Sequence, residues 1–201
     1  SYPYAPISVF AMHAQYFNLE AVAGDAKHKV IKSMAKKQKE LNAFPEIDYE
    51  AVMKYKWEAI NELYAEQKAA MHEDANFFEF FELNRYWLVP YAAFCYLRDK
   101  YKTADFTKWK SYSSFNEHDL IELADPAQKH YDEIAIHYFV QYHLHLQLKA
   151  AVDYAHAQGI ILKGDIPIGI YRNSVDAWMA PELYNMNMQA GAPPDDFAIK
   201  G

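Results

Sequence analysis

Cysteine is almost absent from this chain: one residue, Cys95, in 201. A lone cysteine closes no intramolecular disulfide, so the fold must hold by packing, as expected in a reducing, cytoplasmic setting. Cys95 lies in the apolar run YAAFCYL, where a thiol behaves as a small core hydrophobe. Glycine is also scarce, with six residues. Gly164, Gly169 and Gly191 fit neither a GxGxxG nor a Walker spacing, which excludes the common phosphate cradles. No basic run exists and the net charge is −7, against nucleic acid as a main partner. The most positive stretch, residues 27–39, carries Val30, Ile31, Met34 and Ala35 at helical spacing and reads as the wet face of an amphipathic helix. No apolar span has membrane length, and the opening SYPYAPISVF lacks a signal-peptide pattern.

What is present is a hydrophobic content of 52%, enough for a real core. The middle reads as helices. Asp25 is positioned to cap one over 26–42, ending before Pro45, and Asp48 to cap another over 49–70. Asp74 opens a short third helix through Phe77–Phe81, and Pro90 marks the first turn of a fourth. Residues 102–116 read as a loop. A short helix over 117–123 precedes a long one from Asp125-Pro126 to Gly159. A buried strand is expected over 160–168, its C-terminal tip bearing Asp165, the place where α/β enzymes hold substrates.

Nine histidines invite a metal hypothesis. His137, His143, His145 and His156 lie on the long helix, but no two are three or four residues apart, the spacing a metal-ligand pair on one helix needs, and there is no HExxH. No metal or other cofactor is therefore assigned. No GxSxG elbow or activated thiol context points to nucleophilic catalysis either. What remains is Asp165, Asp176, Asp195 and Asp196 among Tyr171, Arg172, Asn173, Trp178 and Tyr184, in a polar, aromatic tail of the kind that carries function. Short acids and amides with aromatic rings suit carbohydrate, which offers apolar faces and hydroxyls. A plainer reading stays open, with Asp165 and Asp176 as caps or Asx turns and Trp178 as core.

On these residues the chain resembles a known family. GDIPIGIYRNSVDAW, then PEL and AGAPPDDFAIKG, with SYPYAPISVFAMHAQYFNLEA at the start, is similar to the 4-α-glucanotransferases called amylomaltases or disproportionating enzymes, glycoside hydrolase family 77. WLVPYAAFCYLRD and HYFVQYHLHLQLKAA resemble the branch that contains the plant cytosolic disproportionating enzyme. Two departures from the bacterial pattern, Arg172-Asn173 for His-Asp and Asp196 for Tyr, fit that branch.

The resemblance implies a mostly α chain that is part of a (β/α)8 TIM barrel, with a large helical insertion and one or two barrel strands. It implies a substrate-side loop over 1–20, a helical insertion over 21–125, and a long barrel helix, strand and active-site loop over 126–201. The chain then reads as a piece of a longer enzyme acting on maltose, maltooligosaccharides or α-1,4-glucan. In the family the three catalytic carboxylates lie beyond the position of Gly201, so none is named here. What carries over is substrate binding. Tyr4 matches the aromatic of the N-terminal motif, Asp165 the acid of GD-x-PI, and Asp195 the acid of G-x-PPD. Arg172, Ser174, Asp176 and Trp178 belong to the loop of the S-x-D-x-W motif, for which sugar contact and internal bracing both stay open. A non-catalytic helical glucan-binding or scaffolding module is the competing reading.

Overall fold

The computed structural model describes residues 6–25, 28–164 and 169–188. After an extended N-terminal segment and a 3-10 turn, Ala14–Tyr16, come α1 (Leu19–Ala23), α2 (Lys29–Leu41), α3 (Tyr49–Glu73), α4 (Ala75–Tyr101), α5 (Glu117–Leu123), α6 (Tyr131–Ala157) and α7 (Val175–Met179), with further 3-10 turns at Phe106–Lys108 and Pro181–Leu183. Among the described residues there is no strand, and no helix is long and apolar enough to cross a membrane.

The centre of the molecule is the pair α4 and α6, with α3 against them. Phe94, Leu97, Ala135, Ile134 and Phe139 are fully buried between these helices, with Ile60 and Leu63 of α3. Apolar side chains surround the second half of α4 and the first half of α6 on several sides, as a helix inside a core requires. Asp74 ties the junction of α3 and α4 to α6: its Oδ1 accepts the Asn76 amide at 2.9 Å and its Oδ2 the Tyr142 hydroxyl at 2.8 Å. Those donors hold its carboxyl below the usual range, the Tyr142 hydroxyl first.

Asp48 caps α3, with Oδ1 accepting the Ala51 amide at 2.9 Å, and α5 covers the residues expected of it. Other expectations are corrected. The third and fourth helices are one, with Pro90 inside it. An interior proline costs about 3 kcal/mol or more, which burial of Trp87, Leu88, Ala92, Ala93 and Phe94 on both sides of it offsets. The cap of α2 is His28, whose Nδ1 accepts the Val30 amide at 3.3 Å while Nε2 meets Glu66, so the helix starts later than Asp25 would place it. The long helix starts at Tyr131 because Asp125 Oδ1 accepts the Ala127 amide at 2.7 Å, closing a turn over the preceding residues.

The expected strand is the largest difference. Residues 160–164 form no ladder, and Ile160, Ile161 and Leu162 are 53%, 90% and 52% exposed. A strand exists through its hydrogen-bonded neighbour, and the described residues supply none. Residues 165–168 lie outside the described set.

Candidate functional site

The two segments that carry the N-terminal and S-x-D-x-W motifs meet in space. Ser174 caps α7, its Oγ accepting the Ala177 amide at 3.2 Å, and is fully buried. This sets the next two residues against the N-terminal segment. The Val175 amide donates to the Ile7 carbonyl at 2.8 Å, and Asp176 Oδ2 accepts the Val9 amide at 3.1 Å. Ser8, buried between them, turns the chain by accepting the Phe10 and Ala11 amides on its Oγ at 3.1 and 3.3 Å.

Trp178 is the anchor. It is 2% exposed, its ring centroid lies 5.1 Å from Phe115 and 5.9 Å from both Phe94 and Trp109, and its Nε1 donates to the Tyr112 carbonyl at 2.8 Å. Tyr112 has φ 66°, a left-handed conformation unusual outside glycine, asparagine and aspartate, and the indole bond holds it there. Ser174 and Trp178 therefore sit where bracing requires them.

Between the N-terminal turn, α4 and α7 opens a cleft of about 150 Å³, lined in part by Ser8, Phe10, Tyr86, Trp87, Asp176 and Tyr184. It is smaller than the roughly 300 Å³ at which drug-sized pockets begin. Phe10 stacks on Trp87 at 5.9 Å and meets Tyr86 edge-on at 5.8 Å, yet Phe10 and Tyr86 remain 52% and 65% exposed. Aromatic faces open to water beside a half-buried carboxylate can stack on a sugar ring and accept from its hydroxyls. They cannot run general acid and base together: a retaining pair needs two carboxyl groups about 5–5.5 Å apart, and Asp176 is the one carboxylate lining this cleft among the described residues. Nor does any group of three or more His, Cys, Asp or Glu among those residues have the geometry to hold a metal ion.

Burial pushes the Asp176 carboxyl above its ordinary value, outweighing the Val9 amide that favours the charge. The folded state thus binds this proton more readily than the unfolded chain does. Its contribution to stability is complete below the unfolded value and is lost as pH rises through the folded one. Asp176→Asn keeps an oxygen for Val9 and carries no charge. It should leave stability at pH 7 unchanged or raised by less than about 1 kcal/mol, with no difference at pH 3. Urea melts at the two pH values check this, and a clear loss at pH 7 would show the charge to be stabilised in place.

Arg172 is exposed, with Nη2 donating to the Met188 carbonyl at 3.3 Å, and Asn173 donates to the Tyr171 hydroxyl at 3.4 Å. Tyr4, Asp165 and Asp195 lie outside the described residues. Sequence reasoning missed Ser8, Tyr86 and Trp87 as parts of one site. Ser8 had a signal, a hydroxyl two and three residues ahead of turning amides; Tyr86 and Trp87 look like any helical aromatics until the fold places them.

Residues 1–201 match the family model described as 4-alpha-glucanotransferase. The chain is 42% identical to 4-alpha-glucanotransferase DPE2 of Oryza sativa subsp. japonica over 100% of its own length and 21% of that protein. It is 29% identical to a 4-alpha-glucanotransferase of Chlamydia pneumoniae, over 99% of this chain and 37% of the relative. Its fold is similar to that of the amylomaltase from Streptococcus agalactiae solved in complex with acarbose, with a TM-score of 0.75 and 21% identity, covering 98% of this chain and 40% of that one. The chain thus spans about a fifth to two fifths of the length of these relatives.

Proposed function

We propose, from the premise that this chain belongs to the 4-alpha-glucanotransferase family, that it is the substrate-positioning part of a cytoplasmic enzyme moving 1,4-α-glucan segments from a maltooligosaccharide or glucan donor to an acceptor sugar. The reaction is a retaining double displacement. One carboxylate attacks the anomeric carbon while an acid protonates the leaving oxygen; an acceptor hydroxyl then takes the glycosyl group, giving its proton to the same acid's conjugate base. Those carboxylates are placed outside residues 1–201. Within them, Tyr4, Asp165 and Asp195 contact the sugar chain. Arg172, Ser174, Asp176 and Trp178 form the loop beside it, with Asp176 turned to the cleft and Ser174 and Trp178 bracing. The divisions at 20/21 and 125/126 separate the substrate-side loop, the helical insertion and the segment of the catalytic barrel.

The observation that carries this reading is the union of the two motif-bearing segments through the Val175–Ile7 and Asp176–Val9 bonds, with aromatic faces open beside them. The acarbose complex of the Streptococcus agalactiae amylomaltase supports a glucan-like ligand.

The parent protein should convert maltotriose to glucose and longer oligomers. The 201-residue chain alone should not, because positioning without nucleophile and proton donor leaves the glycosyl barrier in place. Chromatography of the products decides both points. An inactive parent would remove the functional reading, and turnover by the chain above a blank would remove the placement of the carboxylates.

A further inference from the structure

Gln141 of α6 is 1% exposed, in a stretch otherwise buried from Ile134 to Leu144 apart from the partly exposed His143. A primary amide so placed costs free energy unless its donors and acceptor find partners. Here they do. Oε1 accepts the Met12 amide at 2.9 Å and Nε2 donates to the Met12 carbonyl at 2.8 Å, a two-bond ring between the side chain and the Met12 backbone. The ring fixes the amide's orientation, since a flipped amide would set donor against donor.

Further along α6, Gln147 repeats the pattern on Asn18, accepting its amide at 3.0 Å and donating to its carbonyl at 3.3 Å, but in an exposed setting. Lys56 of α3 donates to the Gln15 carbonyl between them. The N-terminal segment is thus held on one side by α7, at Ile7 and Val9, and on the other by α6, at Met12. The turn that presents Ser8 and Phe10 to the cleft lies between these two holds, and Ser8 Oγ closes it locally.

We infer that Gln141 is a positioning residue for glucan transfer, setting through the Met12 peptide where the N-terminal motif meets the sugar; this rests on the functional reading above. It touches no sugar itself. Without the clamp, the Met12 amide and carbonyl have no equivalent partner in a part-buried place, and the turn shifts until they find water. At Gln147 solvent is already there to replace the lost bonds, so the two clamps differ in consequence.

The test uses the full-length parent with Gln141→Met, Gln147→Met and, as a destabilised control away from the loop, Leu120→Ala. Turnover of maltotriose is measured well below each melting temperature. Gln141→Met should lower kcat roughly 10-fold or more, with KM moving less, since small misplacements of a reactant act on the transition state. Gln147→Met should stay within about threefold, and Leu120→Ala should melt earlier with nearly normal kcat. A Gln141→Met enzyme within about twofold of wild type overturns the positioning role. If that variant does not fold, amide hydrogen exchange of the wild type decides. A Met12 amide exchanging as slowly as those of the α6 core supports the clamp, and open-chain exchange overturns it. An inactive wild-type parent overturns the functional reading instead, and exchange at Met12 still reads the clamp.

Discussion

Trp178→Ala should cost this chain about 3–5 kcal/mol of folding stability, the range for truncating a buried large aromatic. For a protein of this size that lowers the melting temperature by roughly 10 °C. The loss has three parts. The indole leaves a void against Phe94, Trp109 and Phe115, the Tyr112 carbonyl loses its donor, and the left-handed backbone of Tyr112 loses its restraint. Trp178→Phe separates them, because it keeps much of the packing and removes the hydrogen bond, worth about 1 kcal/mol. If Trp178 were instead a sugar platform with little part in the core, Trp178→Ala would melt within about 0.5 kcal/mol of wild type and show its effect only in glucan binding. Urea denaturation of the three proteins distinguishes the two roles.

The same residue shows how far sequence reasoning reaches. S-x-D-x-W identified the residues of the loop, but the cap expected there at Asp176 is supplied by Ser174, while Asp176 lies inside α7 and accepts the Val9 amide. Whether the indole faced sugar or core could not be read, because that depends on Phe94, Trp109 and Phe115, brought from elsewhere in the chain. Local signals were legible for the same reason. Asp48 ahead of α3, the expected cap, acts within a few residues and the helix begins where it puts it; α5 covers the expected residues, and its cap, Asn116, comes from the structure.

Errors came where tertiary packing outweighed a local rule. Pro90 is a breaker by its own geometry, but the apolar surface on both sides of it is buried against α6 and the aromatic core, and α4 runs through. The β-branched run at Ile160 has strand propensity, but propensity without a neighbouring strand makes no ladder. Gln141 left a trace that could have been followed: an amide inside a largely apolar and aromatic run needs a partner for each of its polar atoms. Its partner, the Met12 peptide, is 129 residues away in sequence. Spacing alone cannot join those two positions.

Acid should destabilise this chain well before its carboxylates protonate, and His137 should be the main cause. The ring is 5% exposed on α6, edge-on to Trp57 at 5.4 Å and to Tyr91 at 6.1 Å. Burial, reinforced by the nearby Arg98 charge and only partly opposed by Asp99, pushes its pKa down from 6.5 to about 4. A histidine with a lowered folded pKa is kept neutral by the fold. The stability it contributes is complete above the unfolded value and is lost as pH falls through the folded one. At about 1.4 kcal/mol per pH unit of separation, the loss from this one group between pH 6.5 and 4 is about 3 kcal/mol. His143 is also pushed to about 4, by burial against Phe139 and Phe17, and adds in the same direction. Asp176 opposes them, because its raised pKa makes protonation favour the fold, but its half-buried position makes that contribution smaller. Stability should therefore decline steadily from pH 6.5 downward, by urea melts at half-unit intervals. His137→Leu, apolar and of similar size, should take close to one proton's worth of slope out of that window while His143 keeps the remainder. A variant with the wild-type slope would mean that His137 already titrates at its ordinary value and that the core around Trp57 and Tyr91 is open to water.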